Sequence, residues 1–188
     1  MSAPGGRPRV LLHVCCAPCS TACIARLQAD YEVVLFWYNP NITDADEYER
    51  RLAEVRRYAD LAGVELVEGP RDTEAWEAAT AGLEEEPEGG RRCDICFGLR
   101  LEAAAAEARR QGLGHLTTTL TVSPHKSFAK VVEAAQVAGC GGAFLAIDFK
   151  KQGGTERSLQ LSREYGLYRQ DYCGCEPSRR AREHRRRR

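Results

Sequence analysis

The sequence predicts an α/β fold in which a parallel sheet of four or five strands carries helices on both faces. Two observations carry this prediction: short apolar runs recur along the chain, and segments with apolar residues at helical spacing separate them. Helices of ten or more residues between strands indicate parallel βαβ units with right-handed crossovers. Because 188 residues are about the length of one domain, we expect a single domain over residues 1–178 and a disordered Arg-rich tail at 179–188.

Five apolar runs are the predicted strands. The first, RVLLHV, ends at a group of cysteines, and the second, YEVVLFWY, is broken by Asn39-Pro40-Asn41. The other three are shorter and lie between helical segments. The predicted strands are 9–14, 31–38, 64–68, 115–120 and 143–148.

Six segments are the predicted helices. The clearest, 44–62, places apolar and small residues at helical spacing among charges, and Gly63 supplies its stop. The Ala-rich segment 94–111 ends at Gly112, and the Glu-rich segment before it has loop composition. The predicted helices are 22–29, 44–62, 72–82, 94–111, 127–137 and 158–165.

The nine cysteines indicate metal or redox chemistry rather than disulfides. No run approaches the roughly 18 uncharged apolar residues of a membrane span, and the N-terminal segment lacks the apolar stretch of a secretory signal. We therefore expect a cytoplasmic protein without membrane association. Clustered cysteines in a reducing compartment more often bind metal or do redox chemistry than pair with one another.

Seven of the cysteines fall into three clusters with the spacings CCxxC, CxxC and CxC. One structural zinc or one 4Fe–4S cluster uses four ligands, so seven thiols indicate two neighbouring metal centres. The alternatives are a zinc site or simple buried thiols, and we expect buried thiols at Cys23 and Cys140. The clustered residues are Cys15, Cys16, Cys19, Cys93, Cys96, Cys173 and Cys175.

Other polar residues are expected at the same rim, because parallel strands end at one edge of a sheet. His13 is a candidate proton donor beside the first cysteines. Ser123, His125 and Ser127 form a loop at a predicted helix start that suits phosphate. Each residue has an ordinary alternative as a packed residue, cap or surface group. The remaining candidates for binding a polar substrate are Asn39, Asn41, Asp148, Lys150, Lys151 and Arg157.

The neutral net charge conceals an acidic body and a basic tail. The last ten residues hold seven Arg and one Glu, so removing them from the 27 basic and 27 acidic residues leaves 20 against 26. The tail is weak evidence for RNA, because it attracts phosphate without reading sequence. There is no Gly-rich nucleotide fingerprint or Walker loop. The cysteines after the first strand repel phosphate and disfavour ATP binding there.

Five motifs carry a family resemblance. They are VCCAPC at 14–19, FWYNPNI at 36–42, RCDICFGLRL at 92–101, TTTLTVSPHKS at 117–127, and DFKKQGGTERSLQLSREYGLYRQDYCGC at 148–175. In this order the sequence resembles the QueH family of epoxyqueuosine reductases from about residue 9 to 176, with the basic tail outside. The fold expected from this resemblance is a Rossmann-like domain of the adenine nucleotide alpha hydrolase-like type.

The resemblance implies reduction of epoxyqueuosine to queuosine at the wobble position of tRNAs with GUN anticodons, which accept Asp, Asn, His and Tyr. It implies a 4Fe–4S cluster on Cys15, Cys16, Cys93 and Cys96. A second mononuclear metal, expected to be iron, falls to Cys19, Cys173 and Cys175, although some family members carry Asp at the position of Cys19. A ferredoxin or flavodoxin is the expected electron donor. The candidate proton donors are His13, Tyr168 and Asp171.

Two other functions are weighed against this one. A tRNA thiolase-like enzyme would share the fold and a cluster but consume ATP, and the missing phosphate loop argues against it. A non-catalytic zinc module would bind RNA through its tail, and such a protein would be colourless rather than brown.

Overall fold

A four-stranded parallel sheet forms the centre of the computed structural model, which describes residues 6–187. The strand order is β3-β2-β1-β4, and β1 pairs in parallel with β2 on one side and with β4 on the other. The predicted parallel α/β fold is therefore confirmed. The strands are β1 (Arg9–Val14), β2 (Glu32–Trp37), β3 (Glu65–Glu68) and β4 (His115–Thr118).

Helices cover both faces of this sheet. Alternate residues of β1 enter two separate apolar layers, with Leu12 on one face and Leu11 on the other. The first layer packs against α1 and α2, and the second packs against α4 and α5. The helices are α1 (Ala17–Leu27), α2 (Ala45–Ala62), α3 (Thr73–Thr80), α4 (Arg91–Arg110), α5 (Phe128–Val137), α6 (Gly154–Glu164) and α7 (Glu176–Arg186).

Local signals explain where the helices begin and end. Helix α2 matches its predicted range because the Asp44 carboxylate accepts the Glu47 backbone N–H at 2.9 Å and Gly63 adopts φ of 61°. Helix α1 begins five residues earlier than predicted, directly after the extended Cys16. A proline in the first turn suits this start, since its missing N–H has no partner in a helix there.

The predicted strand at 143–148 is wrong. Only Phe144 forms a bridge, to Leu116, because β4 has four residues and then turns into a short 3-10 helix, Thr119–Val122. Threonine side chains hold the segment instead: the Thr117 and Thr121 hydroxyls donate to the carbonyls of residues 145 and 147, both at 2.9 Å. The segment runs beside the sheet without joining the ladder.

The Arg-rich tail, for which the sequence predicted disorder, lies mostly in α7. Glu176 pairs with Arg179 and Arg180 at helical spacing, at 2.7 and 3.1 Å. Arg182 and Arg186 reach back to Asp171. These pairs neutralise part of the charge that favoured disorder. Residues 1–5 and 188 of the predicted domain and tail lie outside the described residues.

Among the described residues, no helix combines the length and the apolarity that crossing a membrane requires.

Candidate metal centre and substrate cavity

Three thiols lie together where β1 enters α1. The Sγ atoms of Cys15, Cys16 and Cys19 all lie within 4.8 Å of one another. The Thr119 hydroxyl accepts the Cys15 backbone N–H at 3.1 Å and lies 3.3 Å from the Cys15 sulfur, to which it donates. Cys16 caps α1 and Cys19 lies in its first turn. The early start of α1 therefore places these thiols at a helix N-terminus.

The three thiols share one negative charge unequally. Hydrogen bonds from Cys16 and Cys19 hold the pKa of Cys15 well below its usual range, and the cations of Lys126 and Arg100 add to the effect. The same interaction raises the pKa of Cys16 to about 12 and raises that of Cys19. Cys15 is thus the acceptor and the other two are donors. A bound metal ion takes thiolates and displaces these protons.

A second group of four thiols lines a cavity of about 140 Å³, here called the small cavity. These are Cys93 and Cys96, at the start of α4, and Cys173 and Cys175, just before α7. Burial raises the pKa of Cys93 and raises that of Cys96 to about 12. The structure therefore brings all seven predicted ligand residues to the carboxyl end of the parallel strands.

The second group also has hydrogen-bond donors aimed at sulfur. The Gly89 backbone N–H donates to Cys93 Sγ at 3.3 Å. The Trp76 side chain packs against Cys96 and Cys175, and its Nε1 is buried without a hydrogen-bond partner among the described residues. Buried polar groups are rarely left unpaired. The small cavity thus suits a metal centre, because bound metal deprotonates these thiols and the resulting thiolates accept hydrogen bonds from the N–H groups.

Arg51 fixes the loop that carries Cys173 and Cys175. Its guanidinium donates to the carbonyls of Tyr172 and Cys173 at 3.2 and 3.0 Å, and to the Glu47 carboxylate at 2.6 Å. Between the two cysteines, Gly174 has φ of 125°, and a Cβ there would lie 3.3 Å from Arg51 Nη1. Only glycine fits this turn without strain.

A larger cavity of about 640 Å³, here called the large cavity, adjoins the small one. Cys15 and Cys19 line it, and Cys173 lines both cavities. Because Cys173 is common to the two, the two groups of thiols meet at one place. The large cavity has the size of a small-molecule or nucleotide site.

Positive charge dominates the wall of the large cavity. Five cations line it against two carboxylates; of these groups, Arg51 is paired with Glu47, and Asp171 is paired with Arg182 and Arg186. Burial opposes the charge of Lys126, but the sulfurs of Cys173, Cys15 and Cys19 outweigh burial and raise its pKa. A wall of this charge attracts phosphate. The five cations are Arg51, Arg100, Lys126, Arg169 and Arg185.

His13 and Asn39 lie behind the thiols rather than in either cavity. Arg100 donates to His13 Nε2 at 3.3 Å and to Asn39 Oδ1, and Asn39 donates to the Val14 carbonyl at 2.9 Å. His13 Nδ1 lies 2.8 Å from the Thr118 hydroxyl, and Nε2 also lies 3.2 Å from the Tyr38 carbonyl. Burial, aided by Arg100, lowers the pKa of His13 to about 3. The imidazole is therefore neutral near pH 7.

The other predicted site residues divide between the cavities and the scaffold. Ser123 and His125 line the large cavity, and His125 also lines the small one with Ser127 and Asn41. The Ser127 hydroxyl caps α5 by accepting the Lys130 N–H, the role expected from the sequence as the alternative to phosphate binding. The Asn41 amide lies at hydrogen-bond distance, 3.5 Å, from the Cys173 carbonyl.

Several candidates lie away from both cavities. The Lys150 ammonium pairs with Asp148 and donates to the carbonyls of Thr121 and Lys126, at 3.1 and 3.2 Å, so it braces the loop before α5. The Tyr168 hydroxyl donates to Glu47 at 2.9 Å. Lys151 and Arg157 are exposed, and neither lines a cavity. Of the three candidate proton donors, Asp171 alone lines the large cavity.

Sequence reasoning missed several residues of this site. Lys126 lies inside the TTTLTVSPHKS motif next to His125, and its place as one of only four lysines was the available signal. Arg51, Arg100 and Trp76 lie on amphipathic helices, where the pattern marks them as ordinary helix residues. Cys23 and Cys140 are buried, as expected for simple thiols.

Comparisons with known proteins agree with the resemblance. The model of the family described as epoxyqueuosine reductase QueH matches residues 10–181. The chain is 36% identical over 179 residues to the epoxyqueuosine reductase QueH of Streptococcus pyogenes serotype M1. The aligned region covers 90% of this chain and 69% of that protein. It is 35% identical over 171 residues to the protein of that name from Thermotoga maritima, and this aligned region covers 88% of each chain.

A solved structure shares the fold. It is the U34-tRNA thiolase NcsA from Methanococcus maripaludis with its [4Fe-4S] cluster, with a TM-score of 0.59 and 12% sequence identity. The match covers 92% of this chain and 62% of the thiolase chain. At this identity the likeness supports the fold alone.

Proposed function

This chain belongs to the QueH family of epoxyqueuosine reductases, and on that premise we propose that it reduces epoxyqueuosine in tRNA to queuosine. The observation that carries the proposal is the meeting of two thiol groups at the wall of a cation-lined cavity. Thiolate-rich sites hold redox-active iron, and the cations suit the phosphates of a nucleic acid. The site therefore offers both halves of what the reaction needs.

We propose an iron–sulfur cofactor, because the donor set fits one. The Sγ atoms of Cys15, Cys16 and Cys19 lie within 4.8 Å of one another, four further thiols line the small cavity, and N–H or O–H groups face the sulfurs of Cys15 and Cys93. When bound, a 4Fe–4S cluster supplies electrons singly, and a second iron with an open position supplies a Lewis acid. Around these groups the chain contributes thiolates, hydrogen bonds to sulfur and a shielded cavity.

The proposed division of the ligands is the one that the resemblance implies. Cys93 and Cys96 line only the small cavity, whereas Cys15 lines the large one, so the proposed cluster on Cys15, Cys16, Cys93 and Cys96 would lie between the two cavities. Cys19 and Cys173 line the large cavity and Cys175 lines the small one, so the proposed second iron on these three residues would lie where the two cavities meet.

Cysteine variants test this division. Cys93→Ser should lose most brown absorbance and acid-labile sulfide. The Cys173→Ser/Cys175→Ser double variant should keep both and lose iron, and loss of its sulfide would contradict the division.

We propose that the large cavity receives the modified nucleotide, turned out of the anticodon loop. Removing the epoxide oxygen to leave an alkene takes two electrons and two protons and releases water. Of the candidate donors Asp171 alone lines the cavity, since His13 is buried and Tyr168 is bound to Glu47, but the Asp171 carboxylate is paired with Arg182 and Arg186 and therefore ionised. Water in the cavity supplies both protons.

The partners follow from the same proposal. The substrates are tRNAs with GUN anticodons, which accept Asp, Asn, His and Tyr, and the electrons come from a low-potential one-electron donor, a ferredoxin or a flavodoxin. Lys151 remains a proposed contact to the tRNA backbone because it is exposed. We also propose that the protein works in the cytoplasm, where tRNA is modified.

Nucleoside analysis of tRNA tests the function in cells. A strain without this gene should accumulate epoxyqueuosine, and a plasmid copy should restore queuosine. A Cys15→Ser copy should not restore it, whereas Cys23→Ala, which changes a buried thiol outside the site, should. Normal queuosine in the deletion strain, with no second reductase gene present, would contradict the proposal.

A further inference from the structure

Helix α7 runs along the edge of the large cavity. Ser178, in its first turn, and Arg185, near its end, both line that cavity, which Cys15 and Cys19 also line. The family model matches only to residue 181, so the last turn of α7 belongs to this chain rather than to the matched pattern. The Arg-rich tail is thus part of the cavity wall.

Contacts to a short loop fix the position of α7. The Arg182 and Arg186 guanidinium groups pair with Asp171 at 2.9 and 2.5 Å. Arg182 also lies over the Tyr172 ring, 5.0 Å from its centroid, and Arg51 lies 5.1 Å from the same centroid. Cation–π contacts of this kind hold a helix against its support. The end of α7 is therefore placed beside the cavity by several independent contacts.

Arg185 differs from the arginines around it. Arg182 and Arg186 are paired with Asp171, and Arg180 is paired with Glu176. Arg185 forms no ion pair with any residue between positions 6 and 187, and its side chain is exposed at the cavity. An unpaired guanidinium offers a rigid fork of donors that matches the two oxygens of a phosphate.

We propose that α7 is an RNA-docking helix and that Arg185 binds the phosphodiester beside the nucleotide in the large cavity. The inference rests on the proposed function for the identity of that nucleotide. Arg169 and Lys126 line the same cavity and supply further positive charge. The contact carries no sequence information, because phosphates are the same at every position, so α7 adds affinity and orientation rather than selectivity.

The test compares Arg185→Gln with Arg180→Gln. Both side chains are exposed on the same helix, but Arg180 lines no part of the large cavity. The probe is an anticodon stem–loop RNA, titrated into the full chain at several salt concentrations and followed by fluorescence anisotropy. Arg185→Gln should weaken binding about tenfold and reduce the slope of log affinity against log salt by about 0.7–0.9, the share of one phosphate. Arg180→Gln should change affinity less than about twofold.

Turnover separates this inference from the proposed function. With tRNA containing epoxyqueuosine, Arg185→Gln should raise KM about tenfold and leave kcat unchanged, because the contact forms equally before and during the reaction. Equal affinities and salt slopes for the two variants would overturn the inference. If the wild type has a steeper salt slope than Arg185→Gln but never forms queuosine, the docking helix is upheld and the reductase function is refuted.

Discussion

Arg51 should control both the stability of the fold and the occupancy of the proposed second iron site. Its guanidinium spans two backbone carbonyls of the loop before Cys175 while paired with Glu47, whose side chain is 10% exposed. Arg51→Lys keeps the charge beside Glu47 but cannot span both carbonyls. Each lost hydrogen bond from a charged donor is worth about 1.5–3 kcal/mol. We therefore expect the free energy of unfolding of metal-free protein to fall by about 3 kcal/mol in total.

Helix α2 supplies a matched control for this variant. Arg57 also donates to two carbonyls, those of Tyr165 and Gly166 at 3.1 and 3.2 Å, and pairs with Glu54, but its side chain is 42% exposed. Arg57→Lys should cost less than about 1 kcal/mol, since exposed pairs are worth little.

Urea unfolding of the reduced, metal-free proteins measures the difference between the two variants. Iron and sulfide analysis of anaerobically purified protein provides the second readout. Arg51→Lys should lose iron and keep sulfide, because the loop that carries Cys173 and Cys175 is no longer held. If Arg51→Lys unfolds like Arg57→Lys and keeps full iron, Arg51 does not position that loop and the reasoning is refuted.

Three further predictions concern the same site. Gly174→Ala should lower the free energy of unfolding by about 1–3 kcal/mol, because Gly174 has φ of 125°, and the variant should lose iron. Gly98→Ala, in helix α4 with open space around it, should instead stabilise the fold by about 0.5–1 kcal/mol. Equal unfolding midpoints for the two variants would contradict this prediction. Trp76→Phe removes the buried N–H beside Cys96 and should lower the reduction potential of the iron–sulfur protein in a redox titration, and an unchanged potential would refute that contact. The pKa of His13 is about 3 in the folded protein and 6.5 in the unfolded protein. The stability of the fold that depends on neutral His13 is therefore fully present above pH 6.5 and is lost as the pH falls. Metal-free protein should lose about 2 kcal/mol between pH 7 and 5 in urea unfolding, and His13→Asn should flatten this slope.

Elements with strong local signals were predictable from the sequence. Four of the six residues of strand β1 are apolar and the strand ends at Val14, and α2 has both a cap and a terminal glycine, so their bounds follow from local chemistry. The convergence of the thiols was also predictable. Parallel strands end at one edge, and the first cysteine cluster begins directly after β1.

Other features depend on contacts between distant parts of the chain. Residues 143–148 read as a strand, but the short β4 offers them a single bridge. The ordering of α7 depends on Asp171 and on the Tyr172 ring, neither of which belongs to the basic run. The role of Arg51 arises from carbonyls 121 and 122 residues away. No periodicity in a local window reports such pairings.

A single-turnover reaction tests the central claim most directly. Anaerobic, chemically reduced protein with measured iron and sulfide is mixed with tRNA containing epoxyqueuosine, and the digested nucleosides are quantified by mass spectrometry. Queuosine should form one for one with the loss of epoxyqueuosine, without ATP, and Cys140→Ala should react as the wild type does. Unchanged epoxyqueuosine in the presence of protein with full iron and sulfide would contradict the account.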